Sequence, residues 1–189
     1  LSKKRISSIP RIEKNIKEML SDLSMPNAQF KIECVQTEKC NINGTDELRF
    51  LFSANKGGEF KELHKVASGG ELSRLMLCIK SQIAQLTALP TIIFDEIDTG
   101  VSGDVAHKIG GILEKISSGM QVISITHLPQ IASKGKHHLF VYKHDLDEKT
   151  VSNIRSLKNE ERVMEIAKML STGKPTETAI KNARELISQ

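Results

Sequence analysis

Two stretches of this 189-residue chain carry residue types at spacings suited to phosphate chemistry. The first is Ser68-Gly69-Gly70-Glu71, which leads into Leu72-Ser73-Arg74. Serine followed three residues later by glutamate, ahead of an apolar helical run, is a capping box. The glycine pair adds what a cap does not need. Without Cβ atoms, backbone N–H groups converge at the positive end of a helix, which makes an anion site. A plain cap and a phosphate cradle both account for this motif taken alone. The second stretch is Ile92-Ile93-Phe94-Asp95-Glu96, an apolar strand ending in two carboxylates. Buried parallel strands present chemistry at their C-terminal ends. Asp95 is placed there to hold Mg²⁺, directly or through water, and Glu96 to polarise an attacking water. A pair of solvated carboxylates at a strand end is the plainer alternative.

Asp98-Thr99-Gly100-Val101-Ser102-Gly103 follows directly and reads as a turn into a helix capped by Ser102. His127 closes a second apolar strand, Val122-Ile123-Ser124-Ile125-Thr126. If the two strands are neighbours, His127 lies near Asp95, within reach of a terminal phosphate; a structural histidine is the plainer reading. No G-x-x-x-x-G-K-[ST] phosphate loop occurs in the chain. His137, His138 and His144 lack a cysteine or acidic partner at zinc-binding spacing, so no zinc is expected. Lys134, Lys136 and His137 form a short basic stretch, read as a solvated loop with nucleic-acid contact as the alternative. Six Phe, one Tyr and no Trp are too few to make base stacking a main binding mode.

The elements that must hold these residues follow from periodicity. Ile9, Ile12, Ile16, Met19 or Leu20, and Leu23 recur at helical spacing, with Ser8 as cap and Pro10 in the first turn. After Met25-Pro26-Asn27, residues 30–34 and 47–52 alternate as half-buried strands, and Asn43-Gly44 suits the turn of a hairpin. Residues 71–88 read as a helix, 91–94 as a strand, 102–117 as a helix containing Gly110-Gly111, and 121–126 as a strand. Residues 139–143 read as a third buried strand, and helices over 160–170 and 176–187 close the chain. Strands separated by helices of this length predict an α/β sheet with a parallel core.

Composition sets the frame. At 39% hydrophobic and 26% charged, the chain has the make-up of a globular protein with a sizeable core. No apolar run approaches a membrane span, and no secretory signal opens the chain. Cys34, Cys40 and Cys78 show no disulfide or metal framework and read as reduced thiols in the cytoplasm. A net charge of +4 permits a nucleic-acid partner without requiring one. The start at Leu1 rather than methionine suggests a piece of a longer protein.

The order and spacing of these motifs resemble the C-terminal lobe of an ABC-type ATPase head. Residues 68–71 match that family's signature motif, 92–96 its Walker B strand with catalytic glutamate, Asp98 its D-loop and His127 its switch histidine. Ala-Ser-Gly-Gly-Glu-Leu-Ser-Arg is closer to the SMC-like branch than to membrane transporters. Phe94-Asp95-Glu96-Ile97-Asp98-Thr99-Gly100-Val101 and Ile125-Thr126-His127-Leu128-Pro129-Gln130 resemble the RecN family of bacterial DNA double-strand break repair. The resemblance implies an α/β lobe over residues 29–189, with a hairpin, and the end of a coiled-coil arm over residues 1–28. It implies Mg²⁺ on Asp95, water activation by Glu96 and a γ-phosphate contact from His127. Ser68, Gly69, Gly70 and Glu71 would serve ATP held by a second head, with Asp98 coupling the two. Its implied partners are the protein's own N-terminal ATPase lobe, a second copy and DNA, in the bacterial cytoplasm at the nucleoid, with no membrane. Lacking the phosphate loop, the chain alone would not hydrolyse ATP. Another ABC-type head, or a non-catalytic dimerisation or DNA-binding module, are the alternatives.

Overall fold

The computed structural model describes all residues except 43, 67, 88, 96, 102, 147, 148 and 189, and leaves out the side chains of 85, 145 and 146. The first apolar stripe forms α1 (Ser2–Asp22), which buries Ile16 and Leu20. The helix starts earlier than expected, so Ser8 is no cap. Its hydroxyl donates to the Lys4 carbonyl at 2.9 Å. Pro10 lies inside the helix, where it offers no N–H to the preceding turn. The end is sharp: Ser24 takes φ 61°, Ser24 N–H donates to Ser21 O, and Met25 N–H donates to Leu20 O at 2.9 Å. This is a Schellman stop with serine at the position glycine usually fills.

The expected hairpin forms from β1 (Gln29–Asn41) and β2 (Gly44–Ser53), antiparallel with Phe30 opposite Phe52 and Ile32 opposite Phe50. Phe30, Ile32 and Phe52 are buried. Register shifts between Gln36 and Asn41, and Gly44 takes φ 97° in the turn, whose Asn43 lies outside the described residues. A short strand β3 (Lys61–Glu62) adds to β2. Polar contacts fix α1 on the hairpin. The Glu13 carboxylate accepts from Ile32 N–H at 2.7 Å, and the buried Asp46 accepts from the Ser2 hydroxyl and from Arg5 Nη1, both at 2.7 Å.

The hydrogen bonds from Ser2 and Arg5 hold the Asp46 carboxyl below the usual carboxylate range. Its stabilising effect is therefore full above the unfolded pKa of about 3.9 and is lost as pH falls through the lower folded value. Asp46→Asn is expected to lower the thermal midpoint at neutral pH, with the gap from the parent closing in acid. Melting curves across that range check it; a gap independent of pH would contradict it.

Packed against α1, α2 (Gly69–Leu86) buries Leu75, Leu77, Cys78 and Ser81. Burial pushes the Cys78 thiol up to about 12, which leaves it unreactive at physiological pH. β4 (Thr91–Asp95) and β5 (Gln121–Ile125) pair in parallel, with Ile93 opposite Ile123 and Asp95 opposite Ile125. Phe94 is fully buried, whereas Ile93, Ile123 and Ile125 remain exposed. In chain order, α3 (Gly103–Ser117) lies between β4 and β5. The expected cap of α3, Ser102, lies outside the described residues.

The chain divides into two compact units: Leu1–Val101 with Ile116–Ile125, and Ser102–Lys115 with Thr126–Gln189. In the second, the short α4 (Pro129–Ala132) passes close to α3 at Gly110, where a Cβ would lie 3.2 Å from the Gln130 carbonyl oxygen. At Gly111 a Cβ would meet nothing. β6 (His138–Leu146) is not the buried third strand expected. It pairs antiparallel with β7 (Lys149–Leu157), and Leu139 and Val141 stay exposed. Helices α5 (Asn159–Met169) and α6 (Glu177–Ser188) share a core of Val163, Ile166, Ala167, Ala179 and Ala183. Thr176 caps α6 by accepting from Ala179 N–H at 3.2 Å. Among the described residues, no helix is long and apolar enough to cross a membrane.

Candidate active site

The glycine turn differs from the expected capping box in one respect. Ser68 is the N-cap of α2 with an extended backbone, and its carbonyl accepts from Leu72 N–H at 3.1 Å, but its hydroxyl makes no capping hydrogen bond. Ser68 and Gly69 are exposed, and Glu71 lies in the first turn of α2.

The two glycines have different surroundings. A Cβ on Gly69 would meet nothing, whereas one on Gly70 would lie 2.9 Å from the Thr99 carbonyl oxygen. One on Gly100 would lie 3.7 Å from the Gly70 Cα. Backbone therefore packs on backbone between the first turn of α2 and the loop after β4. That loop is itself anchored. Asp98 and Ile97 are buried, Asp98 O accepts from Val101 N–H at 3.1 Å, and Gly100 takes φ 68°. Thr99 and Gly100, read from sequence as turn residues only, are thus the packing partners of Gly70.

Arg74 closes the same sequence motif, but its structural role is not legible there. Its Nε donates to the Gly70 carbonyl at 3.2 Å and its Nη1 to the Leu23 carbonyl at 3.4 Å. One guanidinium thereby ties the first turn of α2 to the end of α1, where a cation also complements the negative pole of that helix. Its place one helical turn beyond Gly70 was the only signal available.

Asp95 is exposed at the C-terminal end of β4, on the sheet face that also carries Ile93, Ile123 and Ile125. Glu96 lies outside the described residues. β5 is indeed the neighbour of β4. His127 follows it as an exposed residue assigned to the second unit, beside a turn in which Thr126 Oγ1 accepts from Leu128 N–H at 3.0 Å. Residues 68–71, Asp95 and Asp98 all belong to the first unit, where the Gly70 turn packs on the loop that follows Asp98.

No group of three or more metal-ligating side chains occurs among the described residues. Mg²⁺ needs only one or two carboxylates, with phosphate oxygens and water completing its shell. An exposed Asp95 at a strand end fits a site of that kind.

No protein-family model matches the chain. Among curated proteins, it is 41% identical over 187 residues to the DNA repair protein RecN of Rickettsia typhi, covering 99% of this chain and 34% of the relative. It is 41% identical over 189 residues to that of Vibrio cholerae, with the same coverage. The chain thus spans about a third of the length of these relatives. Among solved structures, the Smc head domain with a coiled coil and joint from Pyrococcus yayanosii matches 85% of this chain and 29% of its own, with TM-score 0.64 and 21% identity. An SMC ATPase structure from work on ATP-driven dimerisation and DNA-stimulated activation matches 92% of this chain and 99% of its own, with TM-score 0.59 and 18% identity. The fold is that of SMC head domains, α/β with a parallel sheet and antiparallel hairpins. Over nearly its whole length, the chain is a homologue of the C-terminal part of the DNA repair protein RecN.

Proposed function

We propose that the chain is the C-terminal lobe of a RecN-like ATPase head, residues 29–189, carrying the end of a coiled-coil arm in residues 1–28, and that it acts in DNA repair. The observation that carries this reading is the approach of Gly70 to Thr99, which leaves Ser68 and Gly69 exposed beside the loop of Asp98. A helix start with a hydroxyl unused by its own cap and open space at Gly69 suits an anion brought by another molecule. In this reading the Ser68 hydroxyl and Gly70 N–H donate to the γ-phosphate of ATP on a second head. Asp98 couples the two heads through the same loop.

Asp95 would hold Mg²⁺, which when bound neutralises charge on the phosphates. Glu96 takes a proton from the attacking water, and the His127 imidazole donates a hydrogen bond to the γ-phosphate. In this reading the phosphate loop comes from an N-terminal lobe of the same protein, since these 189 residues contain none. The exposed Ile93, Ile123 and Ile125 support a covering segment, since parallel strands are normally buried on both faces. The names of the RecN relatives and the SMC head fold support the DNA-repair assignment.

Phosphate release by the 189-residue chain alone, and by the chain co-expressed with the N-terminal lobe, tests the reading. The chain alone is expected to show no turnover above background and the combined head to hydrolyse ATP. An inactive combined head, or turnover by the chain alone, would overturn it.

A further inference from the structure

At the base of the β6–β7 ribbon lies a cavity of about 280 Å³ whose rim carries Lys136, His137, Lys158 and Arg162, together with Ser156 and Asn159. Among the described residues, no acidic side chain lines it. The carboxylates of the adjoining helix are paired: Glu160 with Arg184 at 2.7 Å, Glu165 with Lys168 at 3.0 Å, and Glu161 with Arg155 at 2.7 Å and with the Lys158 N–H at the cavity rim at 3.4 Å. Arg162 is held in place by a hydrogen bond from Nη2 to the Ser133 carbonyl at 2.5 Å, yet its buried Nε has no partner. A fixed guanidinium beside exposed lysines, in a cavity with no acidic side chain among its described lining residues, suits an anion.

We propose that this cavity binds a backbone phosphate of nucleic acid. The choice of a polymer over a small free anion rests on the layout. Lys136, His137 and Lys158 are exposed around the mouth, so a lone ion would remain largely solvated, whereas a polyanion meets several cations at once and releases counterions. From the cavity, the ribbon face that begins at His138 continues through Phe140 and Tyr142, whose rings lie parallel with centroids 6.0 Å apart. With Arg155 lying over the Phe140 ring, 5.8 Å from its centroid, this face adds a mixed aromatic and cationic surface beside the phosphate contact, despite the low aromatic content of the chain. Beyond His144 the sequence turns acidic, with Asp145, Asp147 and Glu148, which confines the anion-binding stretch to the base of the ribbon. The inference rests on the DNA-repair reading only for the kind of polymer, and it requires no ATP hydrolysis.

The test is fluorescence anisotropy of a labelled, mixed-sequence single-stranded oligonucleotide with the 189-residue chain, without nucleotide. Lys136→Gln with Lys158→Gln is expected to weaken binding about tenfold at low salt and to reduce the salt slope by about 1.4, at about 0.7 for each phosphate no longer neutralised. The control pair Lys14→Gln with Lys17→Gln removes the same charge from exposed positions on α1, and is expected to change affinity by less than about twofold. Circular dichroism checks that both variants fold. An equal effect from both pairs, or none from the cavity pair, overturns the proposal. So does saturation of the cavity by micromolar inorganic phosphate, followed by NMR at His137, with DNA affinity unchanged. ATP turnover of the intact protein, measured separately, reports on the ATPase reading, so the two ideas fail independently.

Discussion

Glu96→Gln in the intact protein is expected to lower ATP turnover by about 10²–10⁴-fold, the range seen when a positioned general base is removed. The substitution preserves size and shape but leaves an amide that cannot take the proton of the attacking water. ATP affinity should persist, because in the proposed arrangement the phosphates would be held by a phosphate loop outside this chain, by the metal on Asp95 and by the glycine turn of a second head. The separation of the two effects is the informative part. Asp95→Ala, by contrast, removes a proposed metal ligand and should raise the Mg²⁺ concentration needed for half-maximal turnover. Steady-state phosphate release and nucleotide binding, measured on the same preparations, check both. Unchanged turnover in Glu96→Gln would remove the assigned base and with it the proposed chemistry.

The second large effect concerns the fold beneath that chemistry. Gly70→Ala is expected to destabilise the chain by about 1–3 kcal/mol, the usual cost of forcing extra volume into a packed site. Its Cβ would approach the Thr99 carbonyl to 2.9 Å, and a backbone oxygen cannot turn aside as a flexible side chain can. Gly69→Ala is the internal comparison. Its Cβ points into open space, and alanine suits a helix better than glycine, so the change should be neutral or slightly stabilising. Urea unfolding of the two variants decides the matter. Equal effects would mean that the approach of the signature turn to the loop after β4 does not constrain position 70.

The sequence showed the elements best where apolar residues keep one period along one buried face. The stripe that ends at Ile16, Leu20 and Leu23 and the alternation of Phe30 with Ile32 identified α1 and the hairpin. β7 escaped notice because its apolar residues do not share a face. Val151 and Leu157 lie on one side of the ribbon and Ile154, two-thirds exposed, on the other, so no alternation reaches the reader of the sequence. The start of α1 was misplaced because serine hydroxyls can cap a helix or bond back to the preceding turn, and Ser7 and Ser8 do the latter. At the candidate site, residue types and spacing marked residues 68–71 and Asp95 as candidates, and Asp98 entered only through the family resemblance. The packing of Gly70 on Thr99 and the bridging by Arg74 depend on contacts between distant segments, which no local pattern encodes.

The central claim is that Ser68 and its neighbours serve nucleotide bound to another molecule. Mixing two inactive forms of the intact protein tests it most directly. Ser68→Arg blocks the signature turn but keeps Glu96, and Glu96→Gln lacks the base but keeps the signature turn. In a mixed dimer, the intact base of one subunit faces the intact signature turn of the other, so one of the two sites is whole. With free subunit exchange, an equimolar mixture should recover about a quarter of parental turnover, half of the dimers being mixed and each carrying one working site. If the mixture stays as inactive as either variant alone while exchange is shown to occur, the signature turn acts within its own subunit and the account is contradicted.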